Sequence, residues 1–183
     1  MLAFWRHGYE TTSITELTDA MGITAPSLYT AFGDKRRLFL EAVRRYAGDP
    51  AVTGQAIDDA ACAYDAACAM LTGAVIAFTG VTTPKGCMLA SATASGSEAS
   101  LEVQAAVADI RRAVIDRLRA RIERDIATGV VPPETDASAL AGLVMTVMQG
   151  LSVLARDGMT RTSLQAIASA ALLAWPRTQT SSQ

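Results

Sequence analysis

Between Met21 and Lys35 the chain reads MGITAPSLYTAFGDK, a stretch rich in side chains suited to hydrogen bonding at a surface. Thr24, Ser27 and Thr30 recur every third residue, which on a helix sets their hydroxyls along one face. Ala25 and Pro26 keep that face slim, and Tyr29 and Lys35 add a phenol and an ammonium at its rim. Small hydroxyl-bearing helices fit the major groove of DNA and bond base edges or phosphates; a rim phenol and a lysine suit phosphate oxygens. No similar grouping suits catalysis. His7 is the single histidine and reads as a surface residue rather than a base. The chain lacks a phosphate-cradling glycine loop, a nucleophile elbow and a metal-ligand constellation, so neither an enzyme nor a cofactor or metal site is expected.

The three cysteines lack metal-ligand spacing as well. Cys62 and Cys68, six residues apart, would face different sides of a helix, and all three read as buried thiols in a reducing compartment. Cys87 has the reactivity to sense oxidants, but nothing near it in sequence lowers a thiol pKa.

Positioning the hydroxyl face requires two short helices and a tight turn. SITE, from Ser13 to Glu16, is the pattern of a capping box, which starts a helix ending at Met21. Gly22 supplies the left-handed turn, Thr24 caps the next helix through Phe32, and Pro26 is tolerated in its first turn. Asp34 caps a further helix through Ala47, and Phe4–His7 reads as the tail of a helix stopped at Gly8. Ile14, Leu17, Met21, Ile23, Leu28 and Phe32 are expected to form one apolar seam. Two helices so joined are a helix-turn-helix unit.

Half of the 183 residues are apolar but only 5% aromatic, which favours a helical core of Ala, Leu, Val, Ile and Met. Net charge is −2, and residues 1–50 carry six basic side chains against six acidic ones. DNA binding must therefore come from placement rather than bulk charge. The stretch AGDPAVTG (47–54) reads as a boundary, followed by helices at about 56–78, 86–93, 98–128, 137–157 and 160–175. The third carries a Val103, Val107, Ile110, Val114, Leu118, Ile122 stripe. Ala137–Ala155 is uncharged and about long enough to span a bilayer, yet its polar residues and missing positive flank favour a buried bundle helix. No signal peptide or membrane partner is expected, and the chain reads as cytoplasmic. The expected architecture is all-α: a helix-turn-helix domain at 1–47, a helical body at 48–176 and a flexible tail at 177–183.

GYETTSITELTDAMGITAPSLYTAFGDKRRLF, from Gly8 to Phe39, resembles the DNA-binding domain of the TetR family of bacterial repressors. PKGCML, from Pro84 to Leu89, is similar to a stretch in one branch of that family. The resemblance implies groove or phosphate contacts from Ser13, Thr15, Thr24, Ala25, Pro26, Ser27, Tyr29, Thr30 and Lys35. It also implies a homodimer on palindromic operator DNA and a pocket for a small effector. Ala31 departs from the family's usual histidine before the Phe, and the first helix is expected to be short, since Met1 lies close to Gly8. Phe4 and Trp5 are expected to anchor what remains of it.

For the body, Leu140, Leu143, Val147, Leu151 and Leu154, with the small strip Ala166, Ala170 and Ala174, are expected to build a close-packed dimer interface. Met70, Phe78, Met88, Met145, Met148 and Gln149 are the candidates for an apolar effector pocket, because Met adapts to varied ligands and Gln149 offers a polar handle. The competing function is a helical dimeric adaptor whose shortened first helix no longer supports DNA binding.

Overall fold

The structure, a computed structural model, describes residues 1–91 and 98–176. Among these the chain forms ten helices and no strand. The expected tail, 177–183, lies outside the described residues.

Four short helices come first: α1 (Leu2–His7), α2 (Ile14–Met21), α3 (Ala25–Phe32) and α4 (Lys35–Ala47). Each of the last three begins on a side chain that takes a backbone N–H the helix cannot satisfy itself: Ser13, Thr24 and Asp34. Their core is aromatic. Phe4 meets Phe39 edge-on at 5.0 Å, and Tyr9 meets Phe39 at 5.2 Å. Leu17, Leu28, Leu38 and Val43 complete it. Phe4 is fully buried and Trp5 nearly so, and these two side chains fasten α1 as expected.

The body follows as α5 (Pro50–Asp59), α6 (Ala63–Phe78), α7 (Met88–Ser91), α8 (Glu98–Ala127), α9 (Ala137–Arg156) and α10 (Arg161–Leu172). Its core is built from Ala63, Ala66, Ala67, Leu71, Val75, Leu118, Ile122, Ala141, Val144, Leu164 and Ala168, so helices approach closely over small side chains. Helix α9 is long and apolar enough to cross a membrane, with mean hydropathy 1.7. It packs against α6, α8 and α10.

Two expectations need correcting here. The helix expected from about 56 starts earlier, inside the 47–54 stretch: Gly48 ends α4, the Asp49 carboxylate accepts the Ala51 N–H at 2.8 Å, and Pro50 opens α5. Nor does one helix run from 56 to 78. Arg121 of α8 breaks it, donating to the carbonyls of Asp58 (2.8 Å), Ala60 (2.6 Å) and Ala61 (2.8 Å). Asp125 accepts the Ala63 N–H at 2.6 Å and pairs with Arg121 at 3.1 Å. The pair thus supplies partners to backbone groups that a continuous helix would have satisfied internally.

Helix α8 belongs to both cores. Val103 and Val107 are buried among the aromatic residues of α1–α4, whereas Leu118 and Ile122 are buried in the body. A second tie passes through the PKGCML stretch. Gly86 has φ +75°, and a Cβ there would lie 2.7 Å from the Ser152 carbonyl oxygen. That close approach lets the Trp5 indole N–H donate to the Gly86 carbonyl at 2.9 Å, and the Cys87 N–H donate to the Ser152 hydroxyl at 2.8 Å. One nitrogen of Arg156 donates to the carbonyls of both Trp5 (3.1 Å) and Cys87 (3.2 Å). The Tyr46 hydroxyl meets the Cys87 sulfur at 3.4 Å, and burial, with Cys87 beside it, pushes the Tyr46 phenol pKa up.

Candidate nucleic-acid interface

The interface begins with the capping box of α2. The Ser13 hydroxyl accepts the Glu16 N–H at 3.1 Å, and the Glu16 carboxylate accepts the Ser13 N–H at 2.7 Å. These Ser13 hydrogen bonds hold the Glu16 carboxyl below the usual carboxylate range. Gly22 then turns the chain at φ +64°, with the Ile23 N–H donating to the Thr18 carbonyl at 3.1 Å. On α3 the Thr24 hydroxyl accepts the Ser27 N–H at 3.4 Å and shares a 3.0 Å hydrogen bond with the Ser27 hydroxyl. Gly33 and the Asp34 cap end α3 and start α4 within two residues.

Leu17 and Leu28 face inward, with Ile14 and Phe32 half-buried beside them. Met21 and Ile23 do not join the seam; both are exposed. They flank the left-handed Gly22, where the chain leaves the helical period that the seam assumed.

The outward side of α3 matches expectation. Pro26, Ser27, Tyr29 and Thr30 are exposed, as are Ser13, Thr15 and Thr24, with Ala25 half-buried. Helix α3 carries no charged side chain. Thr30 donates to the Pro26 carbonyl at 2.8 Å, which fixes its hydroxyl against the helix. Tyr29 is 48% exposed.

Lys35 is held more firmly than its sequence position indicates. Its ammonium donates to the Glu10 carbonyl at 3.1 Å and stands 4.8 Å above the Tyr9 ring. Burial pulls its pKa down, against the opposing pull of Glu10 and Glu16. Sequence reasoning missed Tyr9 as this platform. The signal was the Gly8–Tyr9 pair itself, but 26 residues separate Tyr9 from Lys35 and only the fold joins them. Nearby, Arg36 pairs with Glu102 of α8, and Arg44 with Glu41 at 3.0 Å.

The body candidates fare unevenly. A cavity of about 320 Å³ opens between Cys62, Tyr64, Asp125, Val130, Val131, Trp175 and Pro176. A second, of about 10 Å³, lies among Leu71, Leu140, Val144, Trp175 and their neighbours. None of the six proposed pocket residues lines either one. Met88 is fully buried in the aromatic N-terminal core, Phe78 sits in the body core, and Met145 is buried. Gln149 donates to the Met145 sulfur at 3.5 Å; Met70 and Met148 pack half-buried on the body core. Of the interface candidates, Leu143, Ala166, Ala170 and Ala174 are exposed, and Val147 and Leu154 half-buried. Leu140 and Leu151 point into the protomer's own core instead. Val153, Ile167 and Leu173, on α9, α10 and the turn after α10, are further exposed apolar residues.

A capped helix-turn-helix seated on a long helical body defines a class, the DNA-binding transcriptional regulators. The particular family is fixed by comparison with known proteins. The family described as "Bacterial regulatory proteins, tetR family" matches residues 3–42, and "Tetracyclin repressor-like, C-terminal domain" matches residues 66–171. The HTH-type transcriptional repressor ComR of Escherichia coli (strain K12) is 33% identical over 185 residues, spanning 96% of this chain and 85% of ComR. A cysteine-substituted variant of the TetR family regulator CifR, solved with 26 bp double-strand operator DNA, superposes with TM-score 0.89 at 38% identity. That match covers 96% of this chain and 92% of the CifR chain. A putative TetR regulator from Rhodococcus sp. RHA1 matches at 40% identity and TM-score 0.66, over 95% of this chain and 93% of its own. The chain belongs to the TetR family.

Proposed function

We propose that this regulator is a repressor that grips a palindromic operator as a homodimer and lets go when a small apolar effector binds. The observation that carries the operator reading is the outward face of α3: slim, uncharged, hydroxyl-bearing, and flanked by exposed Tyr29 and the braced Lys35. Ser27 and Thr30 are the candidates for base edges; Ser13, Thr15, Thr24, Tyr29 and Lys35 for phosphates. Ala25 and Pro26 let the helix approach. The operator-bound structure of CifR, similar over nearly the whole chain, supports the same docking.

The dimer reading rests on the apolar outer side of α9 and α10. Leu143, Val153, Ile167 and Leu173 stand exposed, with Gly150, Ala166, Ala170 and Ala174 leaving room for close approach. A twofold there would set two α3 helices about 34 Å apart, one helical turn of DNA. An effector that prefers a conformation with wrongly spaced α3 helices weakens operator binding reciprocally. A cytoplasmic location follows from action on bacterial DNA.

The test is a titration of intergenic DNA beside the chain's own gene, with this chain and with a version lengthened at its N-terminus. Specific binding at moderate salt supports the repressor. Binding no tighter than to random DNA by either form leaves the adaptor reading. Tyr29→Phe is expected to weaken operator binding by about tenfold, the size of one hydrogen bond to a charged group, while the melting temperature holds. Lys35→Gln should lower the salt dependence of binding by about one counterion.

A further inference from the structure

The 320 Å³ cavity lies at the end of the body remote from α3, where α6 begins and α8 and α10 end. Its volume is that of a small-molecule site. Tyr64 and Trp175 form an aromatic corner, their rings 5.7 Å apart and nearly perpendicular, and Val130, Val131 and Pro176 complete the apolar wall. The charged group in the wall is Asp125, only 5% exposed. One of its oxygens accepts from Arg121 and the other from the Ala63 N–H, and a carboxylate oxygen accepts two hydrogen bonds. Arg121 stands outside the cavity lining, its Nε and both Nη groups donating to Asp125 and to the carbonyls that break α5 from α6. The lining therefore offers acceptors beside aromatic faces and contains no cation for an anion to pair with.

We propose that this cavity binds a small aromatic amine, its ring against Trp175 and Tyr64 and its N–H groups on Asp125. As an effector site it rests on the repressor reading; as a binding site it does not. Its occupant touches both long routes to the DNA-binding end. Helix α6 runs from Ala63, next to its cap Cys62, to Phe78, whose carbonyl accepts the Gly86 N–H at 3.0 Å. Helix α8 spans about 27 Å from Asp125 to Val107 in the N-terminal core.

The probe is 2-phenylethylamine, titrated calorimetrically without DNA against 3-phenylpropionate as the anionic isostere. The amine should bind saturably and the acid should not. Val130→Trp, at a half-exposed rim position, plugs the cavity and should weaken amine binding by at least about tenfold. Quenching of tryptophan emission by the amine, lost in Trp175→Phe, gives a second readout that does not depend on the plug. Equal heats from amine and acid, undiminished binding to folded Val130→Trp, or no response from Trp175 would each overturn the proposal. Because operator DNA is absent from the titration, failure of the repressor reading would show separately, in the DNA experiment.

Discussion

Seven of the chain's ten aromatic residues lie in its first 46 positions, and the body core is mostly Ala, Val and Leu. The two regions solve the same problem oppositely. Helices α1–α3, of six to eight residues, have too few positions to bury, so each must contribute a large side chain: Phe4 and Trp5 from α1, Leu17 from α2, Leu28 from α3. The main body helices α6, α8, α9 and α10 are longer, 12 to 30 residues, and bury many small side chains at close range. A core of few large parts is sensitive to removal; a core of many small parts is sensitive to addition.

That contrast can be broken by experiment. The largest effect is expected from Phe4→Ala, which empties a fully buried ring site and costs about 3–5 kcal/mol. Hydrogen exchange should show protection lost in α1–α4 and kept in α6 and α9; equal loss in both regions would erase the distinction. Next comes Ala67→Leu, which overpacks the body by about 2–3 kcal/mol at a fully buried position. Denaturant unfolding measures it, and a neutral result would mean the body has slack. Gly86→Ala tests the tie between them: a positive φ and a 2.7 Å approach to Ser152 predict about 2 kcal/mol and looser packing of Trp5, visible in near-ultraviolet circular dichroism.

The smallest effect belongs to Ser13→Ala, about 1 kcal/mol, through loss of the α2 cap. It also carries a pH signature. The Glu16 carboxyl sits below its usual range when folded, so the box contributes fully above that range and fades as acid passes below the folded value. Ser13→Ala should flatten that acid limb in urea melts recorded across acidic pH.

Much of the N-terminal half was legible because its signals are local. Ser13 with Glu16, Gly22, Thr24 and Asp34 each act within four residues, and the structure shows every one of those caps. Asp136 and Thr160 likewise cap α9 and α10. The break between α5 and α6 was hidden because its cause, Arg121, lies about 60 residues further on. Met88 shows the same limit. Its type suited a pocket, but the fold returns it to the aromatic core, which no spacing within α7 reveals. Leu140 and Leu143 were grouped by type, whereas one faces the core and the other solvent.

Val103, Val107 and Met88 carry one further consequence, for exchanging parts between relatives. They roof the aromatic core from outside the first 47 residues. A chimera joining residues 1–47 to another regulator's body would inherit a foreign ceiling, and its head would melt early wherever those three side chains differ in volume. A transplant keeps its specificity only if these donors travel with it, so the exchangeable unit is a set of residues in space rather than a stretch of chain.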